Sequence, residues 1–424
     1  MGICKIGIFG AGTVGGGVIQ ALLKRNDILQ KRSGVELKLT KVAEPIRERA
    51  LETGITEDIL VNDYTQVTRA NDVDVVVELI GGTTLAYQVV EDALLHGKAV
   101  VTANKALLAE RGEPLFKLAQ EKGLPIRFEA SVAGAIPIIL ALREGLNANE
   151  FTSILGIVNG TCNYILTNMI NQGREYADCL KEAQQLGFAE ANPITDVGGY
   201  DSGHKLAILA EMAFDTKIDY SSMHISGIDN IDLQDVAFAQ QLGYTIKLLA
   251  VARKKENTLF LSVHPSLLAK SHPLAAVSDS MNGIALMSDL AKESMFYGRG
   301  AGRYPTASAV LSDLVAQAKW GNKGCWYLPS VEVFQTGKMS DYETRFYLRF
   351  DVEDKPNVLA KIATELGQRG VSIASVQQHE NANGCVPVIV TTHYAKEGDV
   401  KSALEAIEKM PATKGKPVLY RIEC

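Results

Sequence analysis

Residues Cys4 to Gly15 read CKIGIFGAGTVG, a short apolar run that ends in Gly10, Gly12 and Gly15. An apolar run of this length suits a buried strand, and Gly17 to Lys24 suits a helix. Strand, GxGxxG, helix is the dinucleotide-binding fingerprint in its required context. The first glycine permits the tight turn, the second lets a pyrophosphate approach, and the third lets the helix pack closely. Gly10, Ala11, Gly12, Thr13, Val14 and Gly15 are therefore expected to cradle a dinucleotide, NAD or NADP. The next strand, Leu37 to Ala43, ends at Glu44. An acid there binds a ribose 2′-hydroxyl and favours NAD, whereas Arg47 and Arg49 would accommodate a 2′-phosphate. The choice stays open.

Outward from this unit the pattern repeats. Val73 to Ile80 (VDVVVELI) is nearly all apolar, as a parallel strand covered on both faces should be. It stops at Gly81-Gly82-Thr83, a loop that would face the cofactor. A helix to Gly97 follows, then the strand Ala99–Thr102, ending at Ala103-Asn104-Lys105. Alternating strands and helices imply a doubly wound, Rossmann-type parallel sheet. Ligands bind beyond its strand carboxyl ends, where Lys105 falls; a lysine that merely caps the strand is the alternative.

Leu186 to Leu209 reads LGFAEANPITDVGGYDSGHKLAIL. Asp201 and Lys205 are four apart and share a helix face. Ile208, Leu209 and Met212 continue from Lys205 as an apolar stripe. By periodicity alone an ordinary surface pair explains this best. Glu190, Asp196 and Asp201 all precede the lysine, however, and such a cluster resembles a polar pocket.

Length and composition bound the rest. At 424 residues two or three domains are expected. A hydrophobic fraction of 46%, a charged fraction of 22% and a net charge of −6 suit an ordinary globular chain with no footprint for nucleic acid. The basic run Arg253-Lys254-Lys255 reads as a hairpin tip. No apolar run is long enough to cross a bilayer, and no signal peptide precedes the first strand. The six cysteines lack paired or metal-ligand spacing, which suits reduced thiols in the cytoplasm.

From Pro125 the pattern becomes α+β. Ser153 to Val158 is a strand entering the polar turn Asn159-Gly160-Thr161, and further strands are expected near Tyr244–Arg253, Leu259–His264 and Met295–Tyr297. Gly298 to Gly302 is a loop before a helix that starts near Pro305 and runs to about Trp320. Leu328 to Tyr342 reads as a linker. The tail then shows strand, helix, strand, strand, helix, strand, a ferredoxin-like βαββαβ module without a catalytic cluster.

Five segments now identify a family. Glu78-Leu-Ile-Gly-Gly82, Thr102-Ala-Asn-Lys105-Ala-Leu, Gly156-Ile-Val-Asn-Gly-Thr161, Glu190 to Lys205, and Gly300-Ala-Gly-Arg-Tyr-Pro-Thr306 resemble homoserine dehydrogenase, in order, across residues 1 to about 325. The tail resembles an ACT domain. The resemblance implies three parts: a cofactor-binding domain over 1–130, completed by a helix at 305–325; a catalytic and dimerisation domain over 131–327; and, after a 328–342 linker, an ACT domain over 343–424. It implies NAD(P)-linked interconversion of L-homoserine and L-aspartate 4-semialdehyde in threonine, isoleucine and methionine biosynthesis. Lys205 matches the catalytic lysine and Asp201 its acidic partner. Lys105 matches a lysine beside cofactor and substrate. Glu190 matches the carboxylate that takes the substrate amino group, with Gly160, Thr161 and Asp196 in the same pocket, and Gly302 falls with the cofactor loops. Glu129, Val132, Gly134 and Ile136 match a loop that binds Na+ or K+ in some members, largely through carbonyls. A homodimer or homotetramer and a threonine effector are also implied.

Three positions depart from the family pattern. Phe188 stands where tyrosine is usual, Cys162 replaces a threonine, and Asn357 occupies a glycine turn position of the ACT-like module. Asparagine tolerates positive φ better than other side chains. Two rival readings remain: a thiol-dependent semialdehyde dehydrogenase using Cys162, and a non-catalytic amino-acid sensor with a relict nucleotide fold.

Overall fold

The computed structural model describes residues 3–323, 334–378 and 385–423, and its backbone divides into two compact units. The first takes the described residues of 1–151, 201–221 and 281–333.

It carries a six-stranded sheet whose strands are all parallel. In space they run Leu60–Val61, Glu36–Ala43, Ile3–Phe9, Val75–Glu78, Ala99–Thr102, Ile126–Arg127. In chain numbering that order is 3-2-1-4-5-6, the doubly wound arrangement, and its direction reverses between Ile3–Phe9 and Val75–Glu78. Val75–Glu78 is buried at every position, as a parallel strand covered on both faces is. The first helix runs Thr13–Ser33, longer at both ends than the Gly17–Lys24 expected. Its glycines bear on packing, not on where it starts. A Cβ on Gly17 would lie 2.7 Å from the Arg303 carbonyl oxygen, so the glycines let this helix approach the helix Arg303–Trp320. That second helix places Ala307, Val310 and Leu314 in one core with Ile6, Ile8 and Val18. It ends at Trp320, where the sequence pattern places its end, and residues 324–333 lie outside the described set. The unit also holds an antiparallel pair, Met281–Ser288 with Glu293–Arg299, whose first strand the sequence reading missed.

The second unit is built on one mixed sheet. Phe151–Ile157, Tyr244–Lys255 and Thr258–Ala269 are antiparallel neighbours, and Arg253-Lys254-Lys255 lies at the hairpin tip as expected. The last strand, Val418–Glu423, pairs in parallel with Thr258–Ala269, Ser266 against Arg421. Glu343–Glu353, Cys385–Thr392 and Ile373–Gln378 continue the sheet. These four tail strands stand in the order 4-1-3-2 with helices Val358–Gln368 and Glu397–Glu408, the ferredoxin-like fold. The tail therefore extends the middle sheet directly. Of the expected linker, 328–333 lies outside the described residues. The remainder is docked: Gln335–Thr336 pairs with Thr258 and Leu259, and Met339–Asp341 is a 3-10 turn.

Candidate active site

In the first unit the glycine loop is held from both sides. The Gly10 N–H donates to the Ala43 carbonyl at 2.9 Å, and Gly10 has φ +87, where a side chain would be strained. A Cβ on Gly15 would lie 1.9 Å from the Gly10 carbonyl oxygen, so only glycine fits. At Gly12 a Cβ would meet nothing within 4 Å. Gly12 is the N-cap of Thr13–Ser33 and makes no side-chain cap bond. The helix terminus thus opens onto free space, the arrangement that receives a pyrophosphate. Glu44 is buried; one carboxylate oxygen accepts from the Ala11 N–H at 2.6 Å and the other from the Ile46 N–H at 3.1 Å. Arg49 lies 3.7 Å from the second oxygen. Thr13 is exposed, and Val14 packs partly against the core. Gly302, with φ +117, is the N-cap of Arg303–Trp320.

Across the switch point the second loop is organised by Glu78, which sequence reading quoted only as part of a motif. Its fully buried carboxylate accepts from the Ile80 and Gly81 N–H groups at 3.0 and 3.2 Å and from the Thr102 hydroxyl at 2.6 Å. The Asn104 amide donates to the Gly82 carbonyl at 2.7 Å, and its oxygen accepts from the Leu107 N–H, capping Lys105–Lys122. Gly81 and Gly82 keep positive φ and face open space, and Arg111 donates to the Thr83 carbonyl.

Lys105 begins that helix and reaches Asp201. Its Nζ lies 3.1 Å from Asp201 Oδ1, while Lys205 Nζ lies 2.7 Å from Oδ2. Asp201 and Lys205 stand one turn apart on the helix Tyr200–Phe214 and are 5% and 7% exposed. Burial at this depth excludes the ordinary surface pair that periodicity favoured. One carboxylate serves two ammonium groups. Beside them His204 lies 2.9 Å from Glu110 and stacks on Tyr220; burial pulls its pKa below the usual value, with Glu110 opposing.

The expected cation loop lies in the same unit. The Glu129 carboxylate accepts from the Ile139 and Leu140 N–H groups at 3.0 and 2.8 Å, and its own N–H donates to Asp313. Burial, then the Asp313 charge, pushes the Glu129 pKa up to about 7, and burial pushes Asp313 to about 6. Ala133 and Gly134 are both left-handed, Val132 and Ile136 are buried, and a Cβ on Gly134 would lie 2.6 Å from the Gly300 carbonyl oxygen. Asp313 had no sequence signal, being 184 residues from its partner.

In the second unit Asn159 caps the helix Gly160–Gln172 by accepting from the Cys162 N–H at 2.8 Å, and its amide donates to Asp196 Oδ1 at 2.8 Å. The Thr161 hydroxyl donates to the Phe188 carbonyl at 2.7 Å. Asp196 is thus tied to the turn that carries Gly160 and Thr161. Glu190, on the same loop, is exposed. Cys162 is fully buried and its Sγ donates to the Asp196 carbonyl, a packing role that leaves the thiol-dependent reading without an accessible nucleophile. The Phe188 ring lies 4.9 Å from Tyr164.

Comparison with known proteins agrees with this geometry. The family model "Homoserine dehydrogenase, NAD binding domain" matches residues 10–129, "Homoserine dehydrogenase" matches 137–315, and "ACT domain" matches 346–412. A homoserine dehydrogenase of Pseudomonas aeruginosa is 41% identical over 99% of this chain and 98% of its own length. The crystal structure of one from Thiobacillus denitrificans is 38% identical, with TM-score 0.94 over 99% of this chain and 98% of that one. A hyperthermophilic archaeal homoserine dehydrogenase in complex with NADPH is 25% identical, with TM-score 0.63 over 74% of this chain and 97% of that one. The open glycine loop, the shared Asp201 and the full-length matches lead to one conclusion: the chain belongs to the homoserine dehydrogenase family.

Proposed function

We propose that Lys205 is the proton donor and acceptor in the family reaction, the NAD(P)-linked interconversion of L-homoserine and L-aspartate 4-semialdehyde. The observation that carries this is the Asp201 carboxylate shared between Lys105 and Lys205. The bound cofactor supplies or accepts the hydride. In reduction, negative charge grows on the aldehyde oxygen, and a positive donor aimed there stabilises the transition state. Lys205 is that donor and passes its proton to the oxygen; in oxidation it takes the hydroxyl proton instead. Asp201 fixes the lysine rotamer and offsets its desolvation. Lys105 adds a second positive charge on the same carboxylate, beside the loop of Gly81 to Thr83. Glu190 takes the substrate ammonium, and Gly160, Thr161 and Asp196 shape that pocket, roles supported by their motif matches.

Gly10 to Gly15, Glu44, Gly81, Thr83 and Gly302 hold the cofactor. The NADPH bound by the archaeal relative supports NADP as one choice, and a direct comparison of turnover with NAD and NADP decides it. A hard monovalent cation suits the donor chemistry of the Glu129 loop, one carboxylate with the Val132, Gly134 and Ile136 carbonyls. Substituting tetramethylammonium for Na+ or K+ at constant ionic strength tests it by loss of activity. The divisions at 130, 327 and 342, a cytoplasmic homodimer or homotetramer, and feedback by threonine through the ACT domain complete the proposal. The central test is nicotinamide absorbance with homoserine. Lys205→Met should abolish turnover while retaining cofactor binding, and near-normal turnover would overturn the assignment.

A further inference from the structure

The mechanism leaves one buried amine without a task. Lys247, on the strand Tyr244–Lys255, is 3% exposed, and its Nζ donates to Asn163 Oδ1 at 3.0 Å and to the Val277 carbonyl at 2.5 Å. Desolvating an ammonium is unfavourable, and a methionine of similar length would fill the space without it. Neither direct acceptor is charged. Asp279 supplies a favourable charge nearby, yet burial still brings the Lys247 pKa down to about 8.

The two acceptors show what the amine does that an apolar chain would not. Asn163 lies on the helix Gly160–Gln172, three residues after Gly160, and its N–H donates to the capping residue Asn159. Val277 begins the segment that reaches Ser280. A Cβ on Gly160 would lie 2.8 Å from the Ser280 carbonyl oxygen, so the two segments meet at Gly160. The Asn163 amide also donates to the Val277 carbonyl at 3.3 Å, and the Asp279 N–H donates to Thr167 at 3.0 Å. Lys247 is thus bonded to both sides of the contact that sets where Gly160 and Thr161 stand.

We infer that Lys247 is a positioning residue for substrate binding: by joining Asn163 to Val277 it holds the Gly160-Thr161 turn in place. The inference rests on the proposed role of that turn at the substrate. It acts on the ground-state pocket and leaves the hydride and proton steps alone.

The test is steady-state kinetics of the full-length Lys247→Met, Asn163→Leu, double and Thr161→Val variants, with thermal melting to confirm folding. Lys247→Met should raise KM for homoserine about tenfold, the scale of losing hydrogen bonds of this kind, with kcat and the cofactor KM within about threefold of wild type. Asn163→Leu should behave alike and keeps the test open if Lys247→Met does not fold. The double variant should be no worse than Asn163→Leu, which removes both the acceptor of Lys247 and the direct Asn163–Val277 bond. A folded Lys247→Met with unchanged homoserine KM overturns the inference, as does a parallel fall in kcat and cofactor affinity. If Thr161→Val raises homoserine KM while Lys247→Met does not, this inference alone falls. If Thr161→Val also leaves it unchanged, the reading of the turn itself falls.

Discussion

Lys205 Nζ stands 2.7 Å from Asp201 Oδ2, one helical turn away and almost fully buried, while the other oxygen of the same carboxylate holds Lys105. Removing Asp201 takes away the carboxylate that both ammonium groups share. Asp201→Asn should therefore lower kcat by about 10²-fold or more, the scale of losing support for a proton-transfer group. Substrate and cofactor KM should change less. Equal kcat in a folded variant would remove Asp201 from the mechanism.

The helix that carries Lys205 ends near a second acid with a pH signature. Glu211 accepts from the Ile218 N–H, and burial, with Glu113 adding, raises its pKa to about 7 from an ordinary 4.5. Between those values the folded chain holds a proton that the unfolded chain has lost, so stability falls as pH rises through that window. Glu211→Gln should flatten the change in melting temperature between pH 5 and pH 8. An unchanged slope would mean that Glu211 ionises normally.

Which parts were legible follows from distance along the chain. The glycine loop and the tail module are local patterns, readable from strand and helix periodicity. Met281–Ser288 was missed because Asn282-Gly283 carries a turn signal inside what is a strand. Asp201–Lys205 is a four-residue spacing, but its burial and its bond to Lys105 depend on a contact 96 residues away. Glu44 showed its type and place, not that its carboxylate would grip the Ala11 N–H. Lys247 and Asp313 gave no sign, because a buried charge is defined by neighbours that the sequence does not name.

Asn357 has φ +71 at the N-cap of Val358–Gln368, so the position does demand left-handed backbone. Asn357→Ala should cost about 1 kcal/mol, and Asn357→Gly should be neutral or stabilising in chemical denaturation. Glycine would also clear space at the turn. Under the proposed threonine feedback, Asn357→Gly should lower the threonine concentration needed for half-inhibition. Complete insensitivity of both proteins would count against a threonine-sensing role.

Arg349 and Asp235 test whether the tail module is welded to the middle sheet. Arg349 lies on the strand Glu343–Glu353 and Asp235 on the helix Leu233–Gln241. The guanidinium spans both carboxylate oxygens at 2.7 and 3.1 Å, the Tyr347 hydroxyl donates to the same carboxylate at 2.8 Å, and both charges are buried. Removing one partner strands the other charge in a low-dielectric site, which costs about 3–5 kcal/mol. Arg349→Met should therefore lower the melting temperature sharply. Arg349→Met combined with Asp235→Leu should recover part of the loss: no lone fully buried charge is left behind, while the buried Tyr347 hydroxyl loses its acceptor. Were the tail only tethered, Arg349→Met would instead melt within error of wild type. The parallel pairing of Val418–Glu423 with Thr258–Ala269 argues that it will not: two strands of one sheet cannot separate without breaking their shared ladder.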